Sequence, residues 1–143
     1  NGYSEVAYDL LLQEEFPSWL YSVKQGATTI WEHWDGKNEK GEFWSKNMNS
    51  FNHYAYGSVA DWVYGEACGI KPLEPGFKKA LIEPKPTDKL DYLCASIETK
   101  YGKISSKWYQ EGGQIKYEIE TPVDTCLFIE GKEYQLEKGK YKL

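Results

Sequence analysis

The hydrophobic period of the chain changes near residue 80, which limits the fold to helices first and strands second. Up to that point apolar residues recur at helical spacing. Val6, Ala7, Leu10 and Leu11 make one stripe, and Trp19, Leu20 and Val23 make a second behind Pro17-Ser18, a helix-start signal. A third helix is expected from Asn49 or Ser50, with Phe51, Ala55, Val59, Trp62 and Val63 on its buried face and Gly69 as its stop. Beyond residue 80 the period is that of a strand. In "GQIKYEIE", Ile115, Tyr117 and Ile119 alternate with Lys116, Glu118 and Glu120, as on a half-buried strand. "LCASIET", "KISSKWYQ", "TCLFIEG" and "KEYQLEKGKYKL" read as further strands, parted by turn pairs such as Gly112-Gly113 and Gly131-Lys132. "LIEPKPTDK" joins the halves as one strand and a Pro-interrupted corner. The expected class is α+β, with residues 1–79 as a helical part and residues 80–143 as a small antiparallel β-sandwich domain.

The first half carries more aromatic surface than three helices can bury, so on its own it leaves large apolar patches. It therefore reads as the last helices of a larger array. The opening "NGYSEVAYDLL" has no initiator Met and starts inside a helical pattern, as expected of a piece of a longer protein. Between the second and third helices, Gln25 to Met48 form a long irregular stretch, and loops of that length are usually functional.

Composition narrows the function. The net charge of −5 argues against nucleic acid, and all 17 basic residues are Lys, so the planar guanidinium grip on phosphate is absent. No apolar run approaches a membrane span, so no membrane partner is expected. Cys68, Cys94 and Cys126 have neither disulfide nor zinc spacing and read as small buried thiols. Neither a cofactor nor a metal is called for. Both a cytoplasmic and a periplasmic or extracellular location stay open.

The chemistry concentrates in "TTIWEHWDG". Glu32 lies between Trp31 and Trp34, which hold a carboxylate away from bulk water as a general acid or base requires. On local grounds it reads more readily as a solvated loop residue or the partner of a lysine. Asp35 competes with it, although "WDGK" also reads as a turn. His53, in "NSFNHYAYG", falls off the Phe51–Ala55–Val59 face and is positioned either to donate to a ligand hydroxyl or to cap its helix. His33 has no evident partner, and the two histidines with one carboxylate match no standard metal spacing.

Three ordered blocks, "GATTIWEHWDG", "MNSFNHYAYGSVADWVYGEACGI" and "PGFKKALIEPKP", resemble the C-terminal part of bacterial α-L-rhamnosidases, glycoside hydrolase family 78. The resemblance runs from about Tyr3 to Pro86, and the tail from Thr87 matches only in position and type. It implies the terminal helices of an (α/α)6 barrel followed by a closing β-sandwich. It implies an inverting hydrolase that releases terminal α-L-rhamnose from glycosides or polysaccharides. Glu32 stands where the family has its general base, and His53 where a histidine contacts the sugar. Trp31 and Trp34 become candidate walls of the rhamnose pocket, with packing inside the barrel as the alternative for each. The general acid lies upstream in the family, so the implied partner is the rest of the catalytic barrel, and this chain alone is expected to be inactive.

Two other readings stay open. The β-half could be a carbohydrate-binding module stacking sugars on Trp108, Tyr109 and Tyr117, or a structural cap; strand phase turns Tyr117 inward with Ile115 and Ile119. The helical toroid could serve a different sugar.

Overall fold

The computed structural model describes residues 2–47 and 49–143; Asn1 and Met48, each at the end of a stretch singled out above, lie outside the described residues. The chain divides into two units, Asn1–Ala60 and Asp61–Leu143.

In the first unit, α1 (Ser4–Leu12) and α2 (Trp19–Lys24) form where the stripes predict them. Ser18 starts α2 in extended conformation, its Oγ accepting the Tyr21 N–H at 3.0 Å. That bond satisfies one of the amides a helix start leaves open and contributes about 1 kcal/mol. Tyr8 is the buried residue of α1, whereas Val6 and Leu10 of the predicted stripe are more than half exposed.

The third helical run differs from expectation. It begins at Tyr54, with a 3-10 segment (Tyr54–Ser58), then α3 (Val59–Trp62), then a π-helical turn (Val63–Ala67). Phe51 precedes it and Ala55 is exposed, so neither belongs to a buried helix face. The cause is a competing partner for the backbone. The Glu32 N–H donates to Ser50 O at 2.9 Å and the His53 N–H to Ile30 O at 2.8 Å. Backbone groups committed to that pairing are not available to a helix. Val59, Trp62 and Val63 are half-buried, in keeping with the predicted face. Gly69 ends the run at φ +73°, and any side chain there would strike the backbone of Glu83 and Pro84.

The second unit is a sandwich of two four-stranded sheets. One has the order β1 (Ile70–Pro72), β2 (Ala80–Ile82), β6 (Thr125–Ile129), β7 (Lys132–Leu136). The other has the order β3 (Tyr92–Thr99), β4 (Gly102–Glu111), β5 (Gln114–Thr121), β8 (Gly139–Lys142). The second sheet is antiparallel throughout, while β2 pairs parallel to β6. β1, only three residues long, has no periodic signature and is an addition to the sequence reading.

The core is the predicted alternation made physical. Ile104, Trp108, Tyr117 and Ile119 face inward from one sheet, and Ile70, Ile82, Leu127 and Leu136 from the other, all buried. Trp108 is fully buried, and its Nε1–H donates to Ala67 O at 3.1 Å. Neither Trp108 nor Tyr117 therefore offers a ring face to a sugar; of the three aromatics considered for stacking, Tyr109 alone is half-buried rather than buried. Thr121 and Thr125 share a buried hydroxyl–hydroxyl bond of 2.7 Å.

Candidate functional site

The residues singled out in the sequence lie on two segments of the first unit, held side by side by two backbone rungs: Glu32 N–H to Ser50 O and His53 N–H to Ile30 O. Thr29 Oγ adds a third tie to Phe51 O. Glu32 and His53, separated in sequence, are thus fixed by the same short ladder.

The loop carrying Glu32 turns sharply just after it. The Gly36 N–H donates to His33 O at 3.0 Å, closing a β-turn with Trp34 and Asp35 at its centre. Asp35 accordingly takes the turn role, with the turn one residue earlier than "WDGK" implied. Ser22 of α2 donates its hydroxyl to Trp34 O at 2.7 Å and fastens the loop to that helix.

Aromatic packing holds the rest. Trp31 is 5% exposed and meets Phe51 edge-to-face, ring centroids 5.2 Å apart. Trp34, half-buried, stands edge-on to Trp19 at 5.3 Å and tilts against Tyr56 at 4.6 Å. Trp19 in turn donates its indole N–H to Tyr56 O at 3.0 Å. Of the two tryptophans, Trp34 has the more accessible surface, while Trp31 is spent mainly on packing. Glu32 is half-buried, and His53 is exposed at the N-terminal end of the third helical run.

Three features had not been singled out. His33 stacks on Trp44, centroids 3.8 Å apart and planes 18° from parallel, so it does have a partner. Trp44 is returned to the loop by its own N–H, which donates to Gly36 O at 3.1 Å. Gly36 is buried: a Cβ there would lie 2.9 Å from Phe51 Cε1 and 3.1 Å from Trp31 Cε3. Its small size lets the two rungs and the turn close on one another. Nothing in sequence spacing pairs His33 with Trp44; the buried glycine after "WD" was the one available hint of a close approach.

Among the described residues no group of three His, Cys, Asp or Glu side chains is gathered to hold a metal ion.

Two family models cover nearly the whole chain. The bacterial alpha-L-rhamnosidase 6 hairpin glycosidase domain matches residues 1–67, and the bacterial alpha-L-rhamnosidase C-terminal domain matches residues 69–141. The chain belongs to the bacterial α-L-rhamnosidase family.

Relatives of the family agree along the chain. An alpha-L-rhamnosidase of Streptomyces avermitilis is 40% identical over 129 residues, covering 90% of this chain and 12% of that protein. One from an Alteromonas species is 41% identical over 136 residues, covering 94% and 15% respectively. Among solved structures, the Streptomyces avermitilis α-L-rhamnosidase complexed with L-rhamnose superposes with a TM-score of 0.86 at 31% identity, over 99% of this chain and 16% of that one. The Aspergillus terreus α-L-rhamnosidase gives a TM-score of 0.83 at 34% identity, over 95% and 16%. The chain thus spans between 12% and 16% of the length of these relatives.

Proposed function

We propose that the longer protein of which this sequence is part hydrolyses terminal α-L-rhamnosides with inversion, and that Glu32 is its general base. The observation that carries the reading is the two-rung ladder, which pairs the segments of Glu32 and His53 side by side. The relatives, each named an alpha-L-rhamnosidase, supply the substrate class.

An inverting hydrolase needs a carboxylic acid to protonate the leaving oxygen and a carboxylate on the other face to take a proton from the attacking water. The two carboxyl groups stand about 6.5–9.5 Å apart so that the water fits between them. In this reading Glu32, half-buried and fixed by its amide to Ser50, takes the water's proton as the water attacks the anomeric carbon. His53 donates to a sugar hydroxyl. Trp34 provides an apolar wall on which the sugar's methyl group rests, while Trp31, buried against Phe51, packs the loop that carries Glu32. The proton donor belongs to preceding helices of an (α/α)6 barrel. Those helices are also the partner for the uncovered Val6 and Leu10. The residues up to about 67 then form the end of the catalytic barrel, the sandwich that begins with β1 at Ile70 its closing domain, and the chain by itself does not turn over substrate.

Proton NMR of the reaction as it runs tests inversion. An aryl α-L-rhamnoside should release β-L-rhamnose first, with the α anomer growing in only by mutarotation. Release of α-L-rhamnose first rules out a water-activating role for Glu32 in a single displacement.

A further inference from the structure

The outward face of the second sheet carries an ordered array of charge. Glu118 of β5 is flanked across the strands by Lys107 of β4 at 3.8 Å and Lys142 of β8 at 3.1 Å. Glu120 is flanked by its register partner Lys140 of β8 at 3.1 Å and, diagonally across β4, by Lys103 at 3.7 Å. A groove of about 690 Å³ lies over this face, lined by these six side chains, with Ser96 and Ser105 contributing hydroxyls and Tyr64 an aromatic side.

The lining carries four ammonium groups against two carboxylates, with Glu98 of β3 in register with Lys103 on the same face, which leaves a small positive excess in a chain whose net charge is −5. Each ammonium has three N–H donors and commits only part of them to its glutamate. Strand spacing sets the layout: Lys107 and Lys142 stand two strands apart, about 10 Å at the backbone, and Lys140 and Lys142 about 7 Å apart along β8. The volume falls within the range of small-ligand sites. Lysine points, serine hydroxyls and a partly exposed tyrosine ring together suit a ring-shaped, hydroxylated anion better than an extended acidic peptide.

We propose that this groove of the β-sandwich binds an acidic oligosaccharide, a short run of sugar rings bearing carboxylates. The proposal rests on the reading that the longer protein acts on glycosides, and it assigns the β-sandwich to holding the acidic portion of such a glycan.

The test is calorimetry of the longer protein with trigalacturonate, maltotriose, a sulfated trisaccharide and hexaglutamate. Trigalacturonate should bind about tenfold tighter than maltotriose or hexaglutamate, and the advantage should shrink at high salt as screening shortens to about 3 Å. Lys107→Gln and Lys142→Gln should each weaken binding about two- to fivefold. Glu118→Gln should strengthen it by freeing two lysines, an effect of opposite sign that a misfolded variant does not mimic. Cys94, exposed in the groove, gives an independent readout: bound trigalacturonate should slow its alkylation while leaving Cys126 unaffected. Equal affinity for maltotriose or hexaglutamate, indifference to the lysines, or unchanged Cys94 alkylation overturns the proposal. Tighter binding of the sulfated sugar overturns the assignment to carboxylates. None of these readouts involves hydrolysis, so failure here is distinct from failure of the rhamnosidase reading, which is judged by turnover of a neutral rhamnoside.

Discussion

Substituting Gly36 by Ala probes the packing that holds Glu32 in place. The added methyl carbon would sit 2.9 Å from Phe51 Cε1, 3.1 Å from Trp31 Cε3 and 3.2 Å from His33 O. Favourable carbon–carbon contact begins near 3.5 Å, so the overlap with Phe51 is about 0.6 Å. Phe51 has little freedom to yield, because it bears edge-on against buried Trp31 and tilts against Phe43 at 5.7 Å. Overpacking of this kind costs about 1–3 kcal/mol. Replacing a glycine also removes freedom from the unfolded chain, which offsets about 0.4–1 kcal/mol of that. The net expectation is a loss of about 1–2 kcal/mol, measured by urea unfolding followed by tryptophan fluorescence. Phe51→Leu in the Gly36→Ala background should recover part of the loss by giving the methyl room. Gly65→Ala is the matched control: nothing lies within 4 Å of its Cβ position, so in a helical run it should be neutral or stabilising by about 0.5–1 kcal/mol. If Gly36→Ala is as stable as the parent while Gly65→Ala behaves as expected, Gly36 is not the close-approach point argued here.

Further expectations follow from the thiols, the charge array and the histidine. Burial, aided by nearby Cys94, pushes the Cys68 thiol up to about 12, so it should resist iodoacetamide at neutral pH while Cys94 reacts, as mass spectrometry of the folded chain will read. Hydrogen bonds from Lys142 and Lys140 are the largest influences holding Glu118 and Glu120 below the usual carboxylate range. Their stabilisation is therefore complete above the unfolded value of about 4.3 and is lost as pH falls through the lower folded values. Scanning calorimetry between pH 5 and about 2.5 should show a smaller fall in Tm for the Glu118→Gln/Glu120→Gln double variant than for the parent; equal slopes contradict the pairing. In the longer protein, His53→Ala should raise KM for an aryl α-L-rhamnoside about tenfold, as expected for a lost hydrogen bond of 1–1.5 kcal/mol, and an unchanged KM removes His53 from the sugar.

The strands were the most legible part of the fold. Period-2 alternation in β5 follows from a sheet with one face in the core, and the burial of Tyr117 and Ile119 matches it residue by residue. The start of the third helical run was not legible, because helical spacing at Phe51 and Ala55 says nothing of a distant segment competing for the same amides. Residues 30–32 supply that competitor. The parallel pairing of β2 with β6 is likewise a long-range choice that no local pattern records. At the candidate site, the pairing of the "WEHW" and "NHYAYG" blocks came from family resemblance, since isolated carboxylates beside aromatics are common. The role of Gly36 and the His33–Trp44 stack depends on contacts that only the folded loop creates.

The central claim is that Glu32 activates the attacking water. The measurement that addresses it most directly is kcat and KM of Glu32→Gln in the longer protein with an aryl α-L-rhamnoside. Loss of a general base lowers kcat by about 10²–10⁴-fold, while the isosteric amide leaves KM within a small factor of the parent. A variant that keeps kcat within a few-fold of the parent contradicts the account and moves the base elsewhere.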